Sequence, residues 1–248
     1  MNQDESIDLA ELRDSSKYDL LEKMRSNNLN FNDEEHVEDL PYDNVQLKCM
    51  YVEENDYFKQ LKSKENLSFF SVNIQSLPAK YSDLKELLDS LEVDFDVICL
   101  QELWRIHDED LYRLPGYNFV YKSRSNNLQG GGTGIFVKKE YSFSILPQYS
   151  AFIDKVIETI FIEIELSNRK SIIVSSVYRP NSAHPNLTST QQLDQFSETF
   201  DNILSEIAST NKTAYIMGDF NIDLLKCNVH SKTSEFIENC FAQGFLQL

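Results

Sequence analysis

From Leu67 onward, short apolar runs separated by turn residues replace the polar, acid-rich pattern of the preceding stretch. "LSFFSV" reads as a first strand, and "DVICLQ" as a buried one, because its apolar residues are continuous. "TIFIEIEL" alternates instead, with Ile160, Ile162, Ile164 and Leu166 on one face, as a half-buried strand does. "SIIVSSVY" follows at once across the short polar link "SNRK", which suggests a hairpin. "YNFVY" and "IFVKK", on either side of the "QGGGTG" turn, suggest another antiparallel pair, and "AYIMG" reads as a later strand.

Three stretches switch to helical spacing. Leu84, Leu87, Leu88 and Leu91 recur behind Pro78; Leu193, Phe196, Phe200, Ile203, Leu204 and Ile207 form a second stripe; Phe236, Ile237, Cys240 and Phe241 form a third, closed by Gly244. Several neighbouring strands are joined too tightly for parallel crossovers. The expected class is therefore mixed α/β, with largely antiparallel sheets and helices on their outer faces.

Up to about residue 65 the chain carries 17 acids and 8 bases, a net of −9 out of −17. This lead segment, 1–65, is expected to be solvated and largely disordered, with "IDLAELRD" and "YDLLEKMR" as brief amphipathic pieces. The folded domain is expected over 66–248, and hydrophobic content of 41% suffices for its core. Neither part is a basic nucleic-acid footprint, which counts against autonomous, tight DNA binding. There is no signal-peptide pattern and no stretch near membrane-span length, so an intracellular protein, nuclear or cytoplasmic, without a membrane partner is expected. Cys49, Cys99, Cys227 and Cys240 form no CxxC pair and the four His are scattered, so neither a zinc site nor a disulfide framework is suggested.

Polar residues stand at the ends of four apolar runs: Asn73 after "FFSV", Glu102 after "VICLQ", Tyr178 and Arg179 after "IIVSSV", and Asp219 with Asn221 after "YIMG". Each alone is at home as a solvated strand terminus. Together they supply what phosphodiester hydrolysis needs: a hard oxygen ligand for Mg²⁺ in Glu102, an acid to activate water or assist the leaving group in Asp219, and neutral donors for a phosphate oxygen in Asn73 and Asn221. The run Gly130–Gly132 lacks the context of a nucleotide cradle and reads as a tight hairpin, and Trp104 reads as packing against its loop.

In this order, "SVNIQSLPAK", "DVICLQELW", "LPGYNFVYKSR", "GGGTGIFVK", "SSVYRP" and "IMGDFNIDLL" resemble the endonuclease domain of non-LTR retrotransposons. That domain belongs to the endonuclease/exonuclease/phosphatase superfamily, with apurinic/apyrimidinic endonucleases and deoxyribonuclease I. "QE" and "GDFN" mark the superfamily; "NIQSL", "GGG" and "YRP" point to the retroelement branch. The resemblance implies a four-layer α/β/β/α sandwich, Mg²⁺ or Mn²⁺ at Glu102, and Asn73 supporting the metal and phosphate geometry. It also implies Tyr178 at the scissile phosphate, Asp219 orienting or deprotonating water, and Asn221 holding the phosphate in line. Arg179 is a further candidate for phosphate contact, against the alternative of a surface ion pair.

The family pattern continues past "FLQL" with a further Asp and a terminal Ser-Asp-His that this sequence lacks. Three readings are open: a C-terminally truncated, impaired DNA-nicking domain of an element whose full-length form carries a reverse transcriptase; another superfamily phosphatase or RNA exonuclease; or a non-catalytic interaction module that keeps the fold. DNA binding by the chain alone is expected to be weak.

Overall fold

The computed structural model describes residues 67–246 except 92, 125–129, 167–169 and 228. The acidic lead 1–65 with its two amphipathic pieces lies outside the described residues, as do most of the "SNRK" link and the end of "FLQL". The chain divides into two compact units, one of which, Phe58–Ile222, holds both sheets.

In that unit β1 (Phe69–Asn73), β2 (Val97–Gln101), β3 (Tyr117–Lys122) and β4 (Thr133–Lys138) form a sheet in the order β1-β2-β4-β3. The second sheet contains β5 (Phe143–Ile145), β6 (Phe152–Ile153), β7 (Ile157–Glu165), β8 (Ser171–Tyr178) and β9 (Thr213–Asp219), in the order β5-β7-β8-β9 with β6 also on β7. The apolar runs expected as strands are all strands. β5 and β6 are additional, and at three and two residues they are too short to show a period.

Pairing is antiparallel except at β1–β2 and β8–β9. A parallel pair needs a long crossover, and each is made by a helix: α1 (Leu77–Ser90) links β1 to β2, and α2 (Ser189–Ala208) links β8 to β9. The "QGGGTG" segment is not the tight hairpin expected. Residues 123–132 separate β3 from β4, too many for a two-residue turn, and the glycines serve another purpose described below.

Alternation sorts the side chains into layers. Val97, Cys99, Ile135 and Val137 of the first sheet meet Ile160, Ile162, Ile164, Ile172 and Val174 of the second. The first sheet's other face, with Ile98, Leu100 and Phe136, packs on Leu77 and Leu84 of α1. Each such buried side chain contributes about 1.5–3 kcal/mol. α2 buries Phe196, Phe200, Ile203, Leu204 and Ile207 and begins at a capping box, Thr188 with Gln191. The result is the mixed α/β architecture expected, two sheets flanked by helices.

Where β1, β2, β8 and β9 finish, the inter-sheet layer turns polar. Buried Gln101 donates through Nε2 to Ser176 Oγ at 2.9 Å and to Ser71 Oγ at 3.3 Å, and Ser176 Oγ donates to Leu100 O at 2.9 Å. These bonds tie the two sheets together at one rim.

In the other unit the described residues include α3 (Ser231–Ala242), capped by His230, whose Nδ1 accepts from Thr233 N at 3.3 Å. Phe236 and Cys240 are buried as the periodicity predicts, and Gly244, at φ +79°, ends the helix. Among the described residues no helix is long and apolar enough to cross a membrane.

Candidate active site

A parallel strand pair delivers both of its carboxyl ends to the same rim, which is where open sheets present their ligand sites. The registers Asn73↔Gln101 and Tyr178↔Asp219 do this once in each sheet. Glu102 follows Gln101 directly, so Asn73, Glu102, Tyr178 and Asp219 arrive from four strands at one place.

Their side chains are bonded to one another. Asn73 Nδ2 donates to Glu102 Oε1 at 2.9 Å and to Asp219 Oδ2 at 2.8 Å, so one amide bridges the carboxylates of the two sheets. Tyr178 OH donates to the same Glu102 Oε1 at 2.9 Å. Burial and then the bond to Glu102 push the Tyr178 hydroxyl far above its usual pKa, so it remains a donor at any working pH. Trp104 Nε1 reaches Glu102 Oε2 at 3.3 Å, and the indole is 39% exposed, so the ring packs on its loop with one face open to solvent.

The loops carrying these residues are strained. Gln75, Ser76, Glu102, Trp104 and Asn221 all have positive φ, at a cost of about 1–3 kcal/mol each. Backbone bonds hold them there: Ser76 N donates to Glu102 O at 2.8 Å, and Trp104 N to Gly131 O at 2.7 Å. In "GDFN" the glycine is obligatory, because a Cβ on Gly218 would lie 1.9 Å from Val177 O of the paired strand.

The two remaining candidates turn toward their own loop. Asn221 N donates to Asp219 Oδ1 at 3.1 Å, and Asn221 Nδ2 to Arg179 O at 2.7 Å. Arg179 donates from Nε to Phe220 O and from Nη2 to Asn221 O, both at 2.6 Å, while its guanidinium lies 5.5 Å from the centre of the Phe196 ring. Arg179 thus spans from the end of β8 to the loop after β9, a role that neither a phosphate contact nor a surface ion pair anticipates.

Residues 66–226 match the Endonuclease/Exonuclease/phosphatase family. The chain belongs to that family. Its members are hydrolases acting on phosphodiester bonds. A search of curated proteins returns no match. Among solved structures the chain is similar to the catalytic domain of Xenopus laevis APE2, at 19% identity and TM-score 0.50, over 70% of this chain and 67% of that one. It is also similar to an AP endonuclease from Archaeoglobus fulgidus, at 16% identity and TM-score 0.51, over 73% and 72%. The endonuclease domain of TRAS1, a telomere-specific non-LTR retrotransposon, matches at 11% identity and TM-score 0.51, over 72% and 71%. At these identities the likeness establishes the fold.

Nucleases of this family generally use divalent metals, and the donor set here fits such an ion. Two carboxylates share one neutral donor, an arrangement in which each anion disfavours the other and a cation relieves both. Among the described residues no group of three or more His, Cys, Asp or Glu is assembled, so an ion at this rim would be held by one or two carboxylates and water. His184 and His230 are spent on local capping, accepting from Asn186 N and Thr233 N.

Behind the site lies a pair that sequence reading passed over. Glu158, fully buried at the start of β7, accepts from Gly132 N on Oε2 and from Arg124 on Oε1, each at 2.5 Å. Burial pushes its carboxyl up, against the lowering effect of Gly132 N–H and Arg124. The signal was present in "IETIFIEIEL": Glu158 is in phase with Ile160, Ile162 and Ile164, which marks an acid on the inward face.

Proposed function

We propose that this chain is a divalent-metal-dependent DNA endonuclease module of the retroelement type, cleaving phosphodiester bonds at the rim formed by Asn73, Glu102, Tyr178, Asp219 and Asn221. The observation that carries this reading is the Asn73 bridge between Glu102 and Asp219, which unites two acids from different sheets. A solvated strand terminus needs no such partner.

Glu102 is the residue to hold Mg²⁺ or Mn²⁺, with Asn73 fixing its orientation. A bound cation would supply charge neutralisation at the phosphate. Asp219, steadied by Asn73 and by the backbone of Asn221, is placed to orient or deprotonate the attacking water. Tyr178 OH, kept protonated, and the Asn221 amide are donors for nonbridging phosphate oxygens. The retroelement assignment rests on "NIQSL", "GGG" and "YRP"; a reverse transcriptase region in the full-length element belongs to the same reading, as does the separation of an acidic lead, 1–65, from the nuclease domain. With a net charge of −17, the chain should bind DNA weakly and in a salt-sensitive way.

The test is nicking of supercoiled plasmid with Mg²⁺, with EDTA, and with Asp219→Ala and Glu102→Gln, beside abasic DNA, RNA and inositol phosphates. Metal-dependent nicking lost in both variants is expected. Hydrolysis of RNA or inositol phosphate in preference to DNA would move the chain to another branch of the family, and nicking unaffected by Asp219→Ala would reject the site.

A further inference from the structure

We propose that Glu158, acting with Arg124 through the Gly131–Gly132 segment, is a positioning residue for Glu102. The inference rests on the reading of Glu102 as the metal ligand.

A carboxylate taken wholly out of water costs several kcal/mol, and a buried ion pair recovers this only with good geometry, so an apolar residue in phase with Ile160 would serve the core as well. What the acid adds is the place where its bonds end. Its Oε2 takes the N–H of Gly132, and its Oε1 takes Nε and Nη2 of Arg124. The segment is pressed onto this pair: a Cβ on Gly131 would stand 2.3 Å from Arg124 Nε and 2.6 Å from Glu158 Oε1. The carbonyls of the same two glycines face the other way. Gly132 O accepts from Leu103 N at 3.2 Å, and Gly131 O from Trp104 N at 2.7 Å.

Those are the two residues that follow Glu102. Glu102 and Trp104 both sit at positive φ, +55° and +59°, around a buried Leu103, so the loop needs outside support to keep its shape. Glu158 is also the register partner of Tyr178, whose hydroxyl bonds Glu102 Oε1. One buried acid therefore stands behind both the backbone and a side-chain support of the candidate ligand.

Trp104 is the only tryptophan, and its indole touches Glu102, so its emission reports on this loop without any assay of activity. In the full chain, Glu158→Gln keeps the acceptor for Gly132 N–H and removes the charge facing Arg124. We expect acrylamide quenching of Trp104 to rise without metal and the apparent Kd for Mn²⁺ to weaken at least tenfold. Glu163→Gln, the same change in β7 where Glu163 pairs with Lys212, should leave both unchanged and so corrects for net charge. If Glu158→Gln lacks a cooperative melt, Arg124→Lys is read instead; it keeps the charge but loses the fork, and should weaken Mn²⁺ binding about threefold or more. Wild-type quenching and affinity in a folded variant would overturn the proposal. An unchanged Mn²⁺ response in Glu102→Gln would instead overturn the site reading on which it rests.

Discussion

Asn73 and Asp219 lie 146 positions apart in the chain, and their side chains meet at 2.8 Å. The contact crosses from one sheet to the other, and it exists because the parallel pairs β1–β2 and β8–β9 end at the same rim. Removing the amide leaves Glu102 and Asp219 facing each other without their common donor. Asn73→Ala should therefore lower nicking about 10²–10³-fold, the usual effect of deleting a preorganised donor, with only a small shift in melting temperature because the residue is half-buried. A loss below threefold would remove Asn73 from the machinery.

Tyr178 tests the donor role separately. Its hydroxyl is held protonated by burial and by Glu102, so it should act as a donor from pH 7 to pH 10 alike. Tyr178→Phe is expected to cost about 10²-fold in kcat by a factor that does not vary over this range. An alkaline limb present in the wild type and absent from Tyr178→Phe would show that the hydroxyl ionises during turnover.

Far from the rim, Asp96 should control acid stability. Burial by itself would raise its pKa, but Ser68 N–H at 2.7 Å, Ser68 hydroxyl at 2.8 Å, Lys138 at 3.1 Å and Tyr141 at 3.0 Å outweigh burial and hold it below its ordinary 3.8. A lowered folded-state pKa means stability that is present above 3.8 and is lost as pH falls through 3.8 toward the folded value. Asp96→Asn should cost about 2–3 kcal/mol near neutrality. In urea titrations its gap from wild type should close as pH drops below 3.8. A gap constant down to pH 3 would contradict the assignment.

What could be read from the sequence follows from period and position. Asn73, Glu102, Tyr178 and Asp219 were legible because each interrupts an apolar run at a strand end, where a polar residue has to be either solvated or functional. Their mutual bonds were not legible, since they depend on which strands pair in parallel, and that depends on the crossovers of α1 and α2. Gln101 and Glu158 were hidden differently: each continues the inward phase of its strand, and a rule that assigns polar residues to the surface discounts them. The glycine run was taken for a turn because close approach to Arg124 and Glu158 leaves the same mark in sequence as a hairpin does.

Arg179 offers the sharpest choice between a brace and a substrate ligand. A guanidinium that contacts phosphate releases counterions, so its loss raises KM for DNA and reduces the salt slope by about one. Here Nε and Nη2 are engaged by the carbonyls of Phe220 and Asn221, and the group lies over Phe196. Removing it frees the loop that carries Asn221, whose φ of +49° is itself strained. Arg179→Ala should therefore destabilise the fold by about 2–3 kcal/mol and lower kcat, leaving KM and the salt slope near wild type. Arg179→Lys should recover little, because an ammonium cannot reproduce the fork that spans two successive carbonyls. A raised KM with a shallower salt slope and an unchanged melt would reverse the conclusion and make Arg179 a phosphate ligand.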